Sequence, residues 1–181
     1  MKELSLHILD LVENSLKAEA RNVEIIVKEN TKEDLLKISI IDDGKGMSKE
    51  FLENVTDPFT TTRRTRSVGL GISLTKAAAE RCNGSFEISS QIDKGTEVEI
   101  TFQHSNIDRA PLGNMGQTIS TIINQCGETE IAYNHTYNDK KFTIDTREIK
   151  EILDGVSIKS TNVLLWIIEF VNENIKNLYK Y

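Results

Sequence analysis

The chain has 181 residues, 38% hydrophobic and 28% charged, enough for a folded domain with a core of its own. A net charge of -6 excludes nonspecific nucleic-acid binding as the main activity, because neutralising phosphates demands a basic face. Two cysteines, Cys82 and Cys126, exclude a disulfide framework and a zinc site and are expected as buried, reduced thiols, and His7, His104 and His135 show no metal-ligand spacing.

Leu4, Leu6, Ile8, Leu9, Leu11, Val12 and Leu16 recur at helical intervals in a segment without glycine or proline, which predicts a helix from Leu4 to Ala20. Asp10 and Asn14, four apart, share one face of it. That pair reads either as a carboxylate and an amide oxygen held at one site or as a solvated polar stripe. Asn14-Ser15 in mid-helix is unfavourable by propensity, so something compensates. Val23–Val27, a polar turn over 30–34 and Leu35–Ile41 predict a hairpin.

The second strand ends in Asp42-Asp43-Gly44-Lys45-Gly46-Met47. Asp42 sits at the strand's mouth, where its carboxylate can accept a hydrogen bond from an exocyclic amine such as adenine's. Gly44 and Gly46 let another group approach the main chain. Taken alone, the motif is also an ordinary acidic turn. Ser48 is expected to cap a helix from Lys49 to Asn54. The run from Asp57 to Gly71 holds hydroxyls, three arginines and two glycines without apolar periodicity, which predicts a long loop and a local positive patch suited to polyphosphate. Gly69-Leu70-Gly71 then opens a helix reaching Arg81, whose free N–H groups suit an anion. Asn83-Gly84 closes that helix, and Phe86–Ser90 and Glu97–Phe102 form a second hairpin around Asp93-Lys94-Gly95-Thr96.

Beyond a linker at 108–113, a helix is expected over 115–124, a hairpin over 130–145 turning at Asn138-Asp139, and helices over 147–153 and 163–178. Val163, Leu164, Trp166, Ile167, Phe170, Val171, Ile175 and Leu178 make a broad apolar stripe, read as core. The apolar run Val163–Ile168 is too short to span a bilayer and the first residues lack a signal-peptide core, so no membrane association and a cytoplasmic location are expected.

Four motifs in order give residues 1–104 a recognisable pattern. Leu11-Val12-Glu13-Asn14-Ser15-Leu16 resembles an N box, Asp42–Gly46 a first glycine box, Asp57-Pro58-Phe59 an F box and Gly69-Leu70-Gly71-Ile72-Ser73-Leu74 a second glycine box, with Gly95-Thr96 similar to a final threonine-bearing element. The chain thus resembles the ATP-binding domain shared by DNA gyrase, the heat-shock chaperone ATPases, histidine kinases and mismatch-repair ATPases, the GHKL superfamily. The resemblance implies an α+β two-layer sandwich, the Bergerat fold, with residues 105–181 as a small accessory α+β domain. It implies ATP and Mg2+ as cofactors, with Asn14 as the magnesium ligand and Asp42 and Thr96 on the adenine amine. Gly44, Gly46 and Met47 would line the base pocket. Phe59, Thr61, Thr62, Arg63, Ser67, Val68, Gly69, Leu70 and Gly71 would form the lid and phosphate cradle, with Arg64 or Arg66 adding charge.

Hydrolytic members of the superfamily carry a glutamate where this chain has Asp10, so Asp10 is the implied catalytic base, with Glu13 second. Ser67 stands where histidine kinases often have another glycine. The N box begins so close to Met1 that no phosphoacceptor domain is expected before it, and His7, inside the nucleotide helix itself, reads as structural or as a support for the site residues. The resemblance therefore implies an ATPase or a stand-alone protein kinase similar to the anti-sigma serine kinases. An ATP-gated interaction module with little turnover and the nucleotide half of a split histidine kinase stay open. The partners implied are an adenine nucleotide and a protein bound through residues 105–181, with a homodimer left open.

Overall fold

The computed structural model describes residues 2–56 and 69–180. Helix α1 (Leu4–Lys17) leads into strands β1 (Asn22–Asn30) and β2 (Leu35–Asp42), followed by helices α2 (Lys49–Asn54) and α3 (Gly69–Arg81) and strands β3 (Phe86–Gln91) and β4 (Gly95–Gln103). Helix α4 (Met115–Gln125), strands β5 (Glu130–Tyr137) and β6 (Lys140–Asp145), and helices α5 (Thr146–Leu153) and α6 (Thr161–Leu178) complete it. The strands form a six-stranded sheet in the order β3-β4-β2-β1-β5-β6. All neighbours are antiparallel except β1 and β5, which run parallel. The α+β two-layer sandwich expected from the sequence is the architecture found.

Strand side chains alternate between faces, so the pairing register decides which residues stand side by side. On the face covered by α1, α3, α4 and α6, one row across the sheet reads Ile88, Val98, Ile40, Ile25, Tyr133, Ile144. Burying such a row supplies most of the driving force, about 1.5–3 kcal/mol for each large apolar side chain. The same register makes the end rows polar. Ser90, Thr96 and Asp42 stand in line near one end, and Glu29 stands opposite Leu36 near the other. The opposite face carries Glu24, Lys37, Glu99 and Asn134, with Lys37 and Glu99 paired at 2.6 Å.

Three features differ from the sequence reading. Helix α1 stops at Lys17 rather than Ala20, because Glu19 adopts φ 59° to turn the chain into β1. The segment expected as an accessory domain contributes β5 and β6 to the same sheet and shares one buried cluster with residues 4–102. The free edge of β1 takes its partner strand from about a hundred residues downstream, a pairing that no local pattern reveals. The stripe on α6 is also wider than the core. Ile167, Val171, Ile175 and Leu178 are buried, whereas Trp166 is 46% exposed.

At the Glu29 end the polar row is satisfied internally. Glu29, itself buried, accepts from His135 Nε2 at 2.8 Å, His104 Nε2 at 2.9 Å and the Tyr179 hydroxyl, while Tyr133 donates to His135 Nδ1 at 2.9 Å. One tautomer of His135 serves both of its bonds. Burial pushes the Glu29 carboxyl up, but the bonds from His135, Tyr179 and His104 outweigh it and hold its pKa down at about 2. Both cysteines are buried and unpaired, as expected.

Candidate functional site

At the other polar row the strands end in a set of mutually fixed groups. Asp42, 8% exposed, accepts from Ser15 Oγ at 2.6 Å on one carboxylate oxygen and from the Gly44 N–H at 2.9 Å on the other. Each oxygen keeps a lone pair for a further donor. Ser15 is thus the compensation for the unfavourable Asn14-Ser15 step, since its hydroxyl reaches across to the neighbouring strand. Asp43 points the other way and accepts from the Arg21 and Asn22 N–H groups at 2.7 and 2.8 Å, tying the end of β2 to the start of β1. Beside Asp42, Thr96 Oγ1 lies 2.9 Å from Ser90 Oγ, which donates to the Gly95 carbonyl and accepts from the Met47 N–H at 2.8 Å. The turns allow this only with glycine. Gly46 (φ 65°) and Gly95 (φ 105°) would each bring a Cβ to 1.9 Å from a main-chain oxygen, of Gln91 and Asp42 respectively.

Helix α1 faces these groups with a stripe of its own, since His7, Asp10 and Asn14 recur at helical spacing. Burial raises the Asp10 carboxyl above the usual range, and the neighbouring Glu13 charge adds to it. The first turn of α3 packs directly on Asp10, for a Cβ on Gly71 would lie 3.2 Å from the Asp10 Cβ and 3.3 Å from its Oδ2. A buried polar pair fixes that contact. Thr75 donates to the Gly71 carbonyl at 2.8 Å, so it accepts from His7 Nδ1 at 2.7 Å, and burial pushes His7 down to about 4, keeping the ring neutral. His7 thus ties α1 to the glycine-opened helix beside Asp10, which fits either role the sequence reading leaves open.

Between α1, α3 and the sheet lies a cavity of about 300 Å³, within the size range of small-molecule sites. Asn14, Asp42, Gly46, Met47 and Thr96 all line it, so five residues singled out from three separate motifs meet in one place. Gly44 adjoins it through its bond to Asp42, and Gly69, Leu70 and Gly71 open α3, whose Ile72 forms part of the wall. Phe59, Thr61, Thr62, Arg63, Arg64, Arg66, Ser67 and Val68 lie outside the described residues. Sequence reasoning missed the apolar walls Ile88 and Val98 and the cation Lys17. The first two are legible in retrospect from strand alternation with Thr96, and Lys17 from its three-residue step beyond Asn14. A larger hollow, about 670 Å³, lies on the uncovered sheet face. There Arg147 is engaged by Asp145 and Asn22, and Asn134 by Glu24.

Comparison with known proteins then decides the family. Residues 2–106 match the family model described as histidine kinase-, DNA gyrase B-, and HSP90-like ATPase. The chain belongs to this ATPase family. Those residues form an ATP-binding domain of the histidine kinase type. Among curated relatives, this ATPase-family chain is 34% identical over 97 residues to histidine protein kinase DivJ of Caulobacter vibrioides, a match covering 51% of the chain and 16% of that kinase. It is 30% identical over 94 residues to sporulation kinase D of Bacillus subtilis, covering 52% of the chain and 18% of that kinase. The chain thus spans less than a fifth of either relative. A crystal structure titled as the N-terminal domain of a DNA repair protein shares the fold, with TM-score 0.53 and 16% identity over 99% of this chain and 57% of that one. Among the described residues, no helix of this ATPase-family protein is long and apolar enough to cross a membrane.

Proposed function

We propose that the cavity binds Mg-ATP and that the protein turns it over, as an ATPase or a stand-alone protein kinase. The observation that carries this reading is the meeting of Asn14, Asp42, Gly46, Met47 and Thr96 around one cavity, with Asp10 beside the start of α3. In this reading Asp42 accepts the adenine amine, Thr96 supports that contact, and Gly46, Met47, Ile88 and Val98 enclose the ring. The phosphates extend toward the N-terminus of α3, where Gly69 and Gly71 leave the main chain open to them and the free N–H groups favour negative charge. Phe59, Thr61, Thr62, Arg63, Ser67, Val68 and Leu70 complete the lid over them.

The donor set suits a hard divalent cation, which prefers oxygen ligands and keeps several waters. Asn14 would hold Mg2+ through its amide oxygen, and the ion would neutralise part of the phosphate charge. Asp10, i-4 from Asn14 on the same helix face, orients and deprotonates the attacking water or substrate hydroxyl. Its raised pKa brings it nearer the range in which a carboxylate is an effective base. Positioning and electrostatics supply most of the catalysis in such transfers.

Phosphate release from purified protein with ATP and Mg2+ tests the reading. We expect Asp10→Asn to lower the release rate by about 100-fold, the scale of a lost general base, while ATP affinity stays within twofold. A wild-type rate no higher than that of Asp10→Asn would remove turnover and leave ATP binding as a conformational signal, with the lid ordering over the phosphates to form a surface for a protein partner.

A further inference from the structure

Helices α5 and α6 leave an apolar groove open at the β6 end of the molecule. Ile149, Ile152, Leu153, Val163 and Trp166 line a hollow of about 240 Å³ there, with Asn162 at its edge. Ile152 is 82% exposed, and Val156, just after α5, and Leu165, on α6, are each 55% exposed. Trp166 is stacked on Phe170 with ring centroids 4.7 Å apart, so its ring is held in place while about half of it faces solvent. Exposed apolar side chains that share one hollow, a tryptophan among them, mark a contact surface rather than scattered surface residues.

The charges around the groove identify what fits it. Glu151 and Asp154 flank Ile152 on and just after α5, while Glu169 and Glu173 follow Trp166 by one and two turns on α6. All four are exposed, and none forms an ion pair among the described residues. Of the nearby lysines, Lys150 is engaged by Glu130 at 2.7 Å, which leaves Lys159 and Lys176 against four carboxylates, a local excess of negative charge. An apolar channel between two helices, with a net negative rim, is complementary to a third helix that carries apolar residues at i, i+3, i+4 and i+7 and Lys or Arg along its flanks.

We infer that the α5–α6 groove is a docking site for a basic amphipathic helix of a partner protein. A second copy of this chain is a poor occupant, since its own groove would bring the same four carboxylates to the contact. The nucleotide cavity is built on β2, β3 and β4, whereas α5 and α6 pack on β5 and β6 at the other end of the sheet. Partner and nucleotide therefore bind together, and the inference does not depend on catalytic turnover.

Trp166 is the chain's one tryptophan, so its emission reports the groove directly. The probe is a synthetic peptide of roughly 18 residues, long enough to form a helix, with leucines at the spacing above and lysines on both flanks; its control carries glutamates in place of the lysines. The lysine peptide is expected to shift Trp166 emission to the blue and to saturate, with the glutamate peptide at least tenfold weaker. Ile152→Glu should weaken the lysine peptide at least tenfold although it adds negative charge, and Ile107→Glu, at a site 97% exposed and outside the groove, should leave affinity unchanged. Ile152→Glu binding as tightly as wild type would show diffuse attraction to an acidic protein and overturn the proposal. So would no shift at millimolar peptide, or a shift on dilution without peptide together with a dimer in sedimentation, which would make a second copy the occupant. Melting curves with and without ATP on the same samples read the nucleotide site separately.

Discussion

Replacing Asp42 by Asn should weaken ATP binding roughly ten- to hundredfold without unfolding the protein. Asp42 is held between the Ser15 hydroxyl and the Gly44 N–H, so its carboxylate is aimed before any ligand arrives. A hydrogen bond to a charged acceptor is worth about 1.5–3 kcal/mol, and each 1.4 kcal/mol is a factor of ten in affinity. The amide keeps the shape but presents an NH2 to one side; facing the Gly44 N–H it would set donor against donor, so it turns to Ser15, whose hydroxyl can rotate and accept it, and the remaining oxygen is a neutral, weaker acceptor for the adenine amine. The fold therefore survives while the ligand contact weakens. Asp43→Asn is the internal control, because Asp43 binds the Arg21 and Asn22 main chain outside the cavity. Calorimetric titration of both variants with ATP decides the matter, and equal affinity in wild type and Asp42→Asn would detach the residue from the base.

The largest effect on stability is expected at the opposite row of the sheet. Glu29→Ala leaves the fully buried His135 N–H without an acceptor and removes the bonds from Tyr179 and His104 at the same time. Breaking a buried charged network from one side costs about 3–5 kcal/mol, which in denaturant melts is a large part of a domain's stability. The same carboxylate sets a pH dependence. Its pKa is held at about 2 in the fold against an ordinary 4.5. A gap of that size between folded and unfolded chain contributes about 3 kcal/mol of stability. The contribution is fully present above pH 4.5 and is lost as the pH falls toward 2. Glu29→Gln removes the titrating group, so its stability should fall less steeply over that interval than that of wild type. A variant as acid-sensitive as wild type would place the acid response elsewhere.

These two rows show what a sequence reveals and what it hides. Asp42, Asn14 and the glycines were legible because each motif packs unusual residues into a few positions, and their order along the chain resembles that of the family matched by residues 2–106. The Ser15 contact left a trace as a poor helix residue in mid-helix. The Glu29 network left none, since His135 and Tyr179 lie 106 and 150 residues away and each reads locally as an ordinary strand or helix-end residue. The pairing of β5 with β1 was hidden for the same reason, because alternation identifies a strand but not its neighbour. The bond between His7 and Thr75 joins positions whose spacing in sequence, 68 residues, carries no signal either.

In the proposed reading one cavity, built from the first helix, the end of β2 and the glycine-opened helix, holds an adenine nucleotide. Titrating the protein calorimetrically with ATP and, in parallel, GTP in the presence of Mg2+ tests it most directly. We expect saturable one-to-one binding of ATP and none of GTP at the same concentrations, because guanine sets a carbonyl oxygen where Asp42 requires an amine. No heat with millimolar ATP, or equal binding of the two nucleotides, would contradict it.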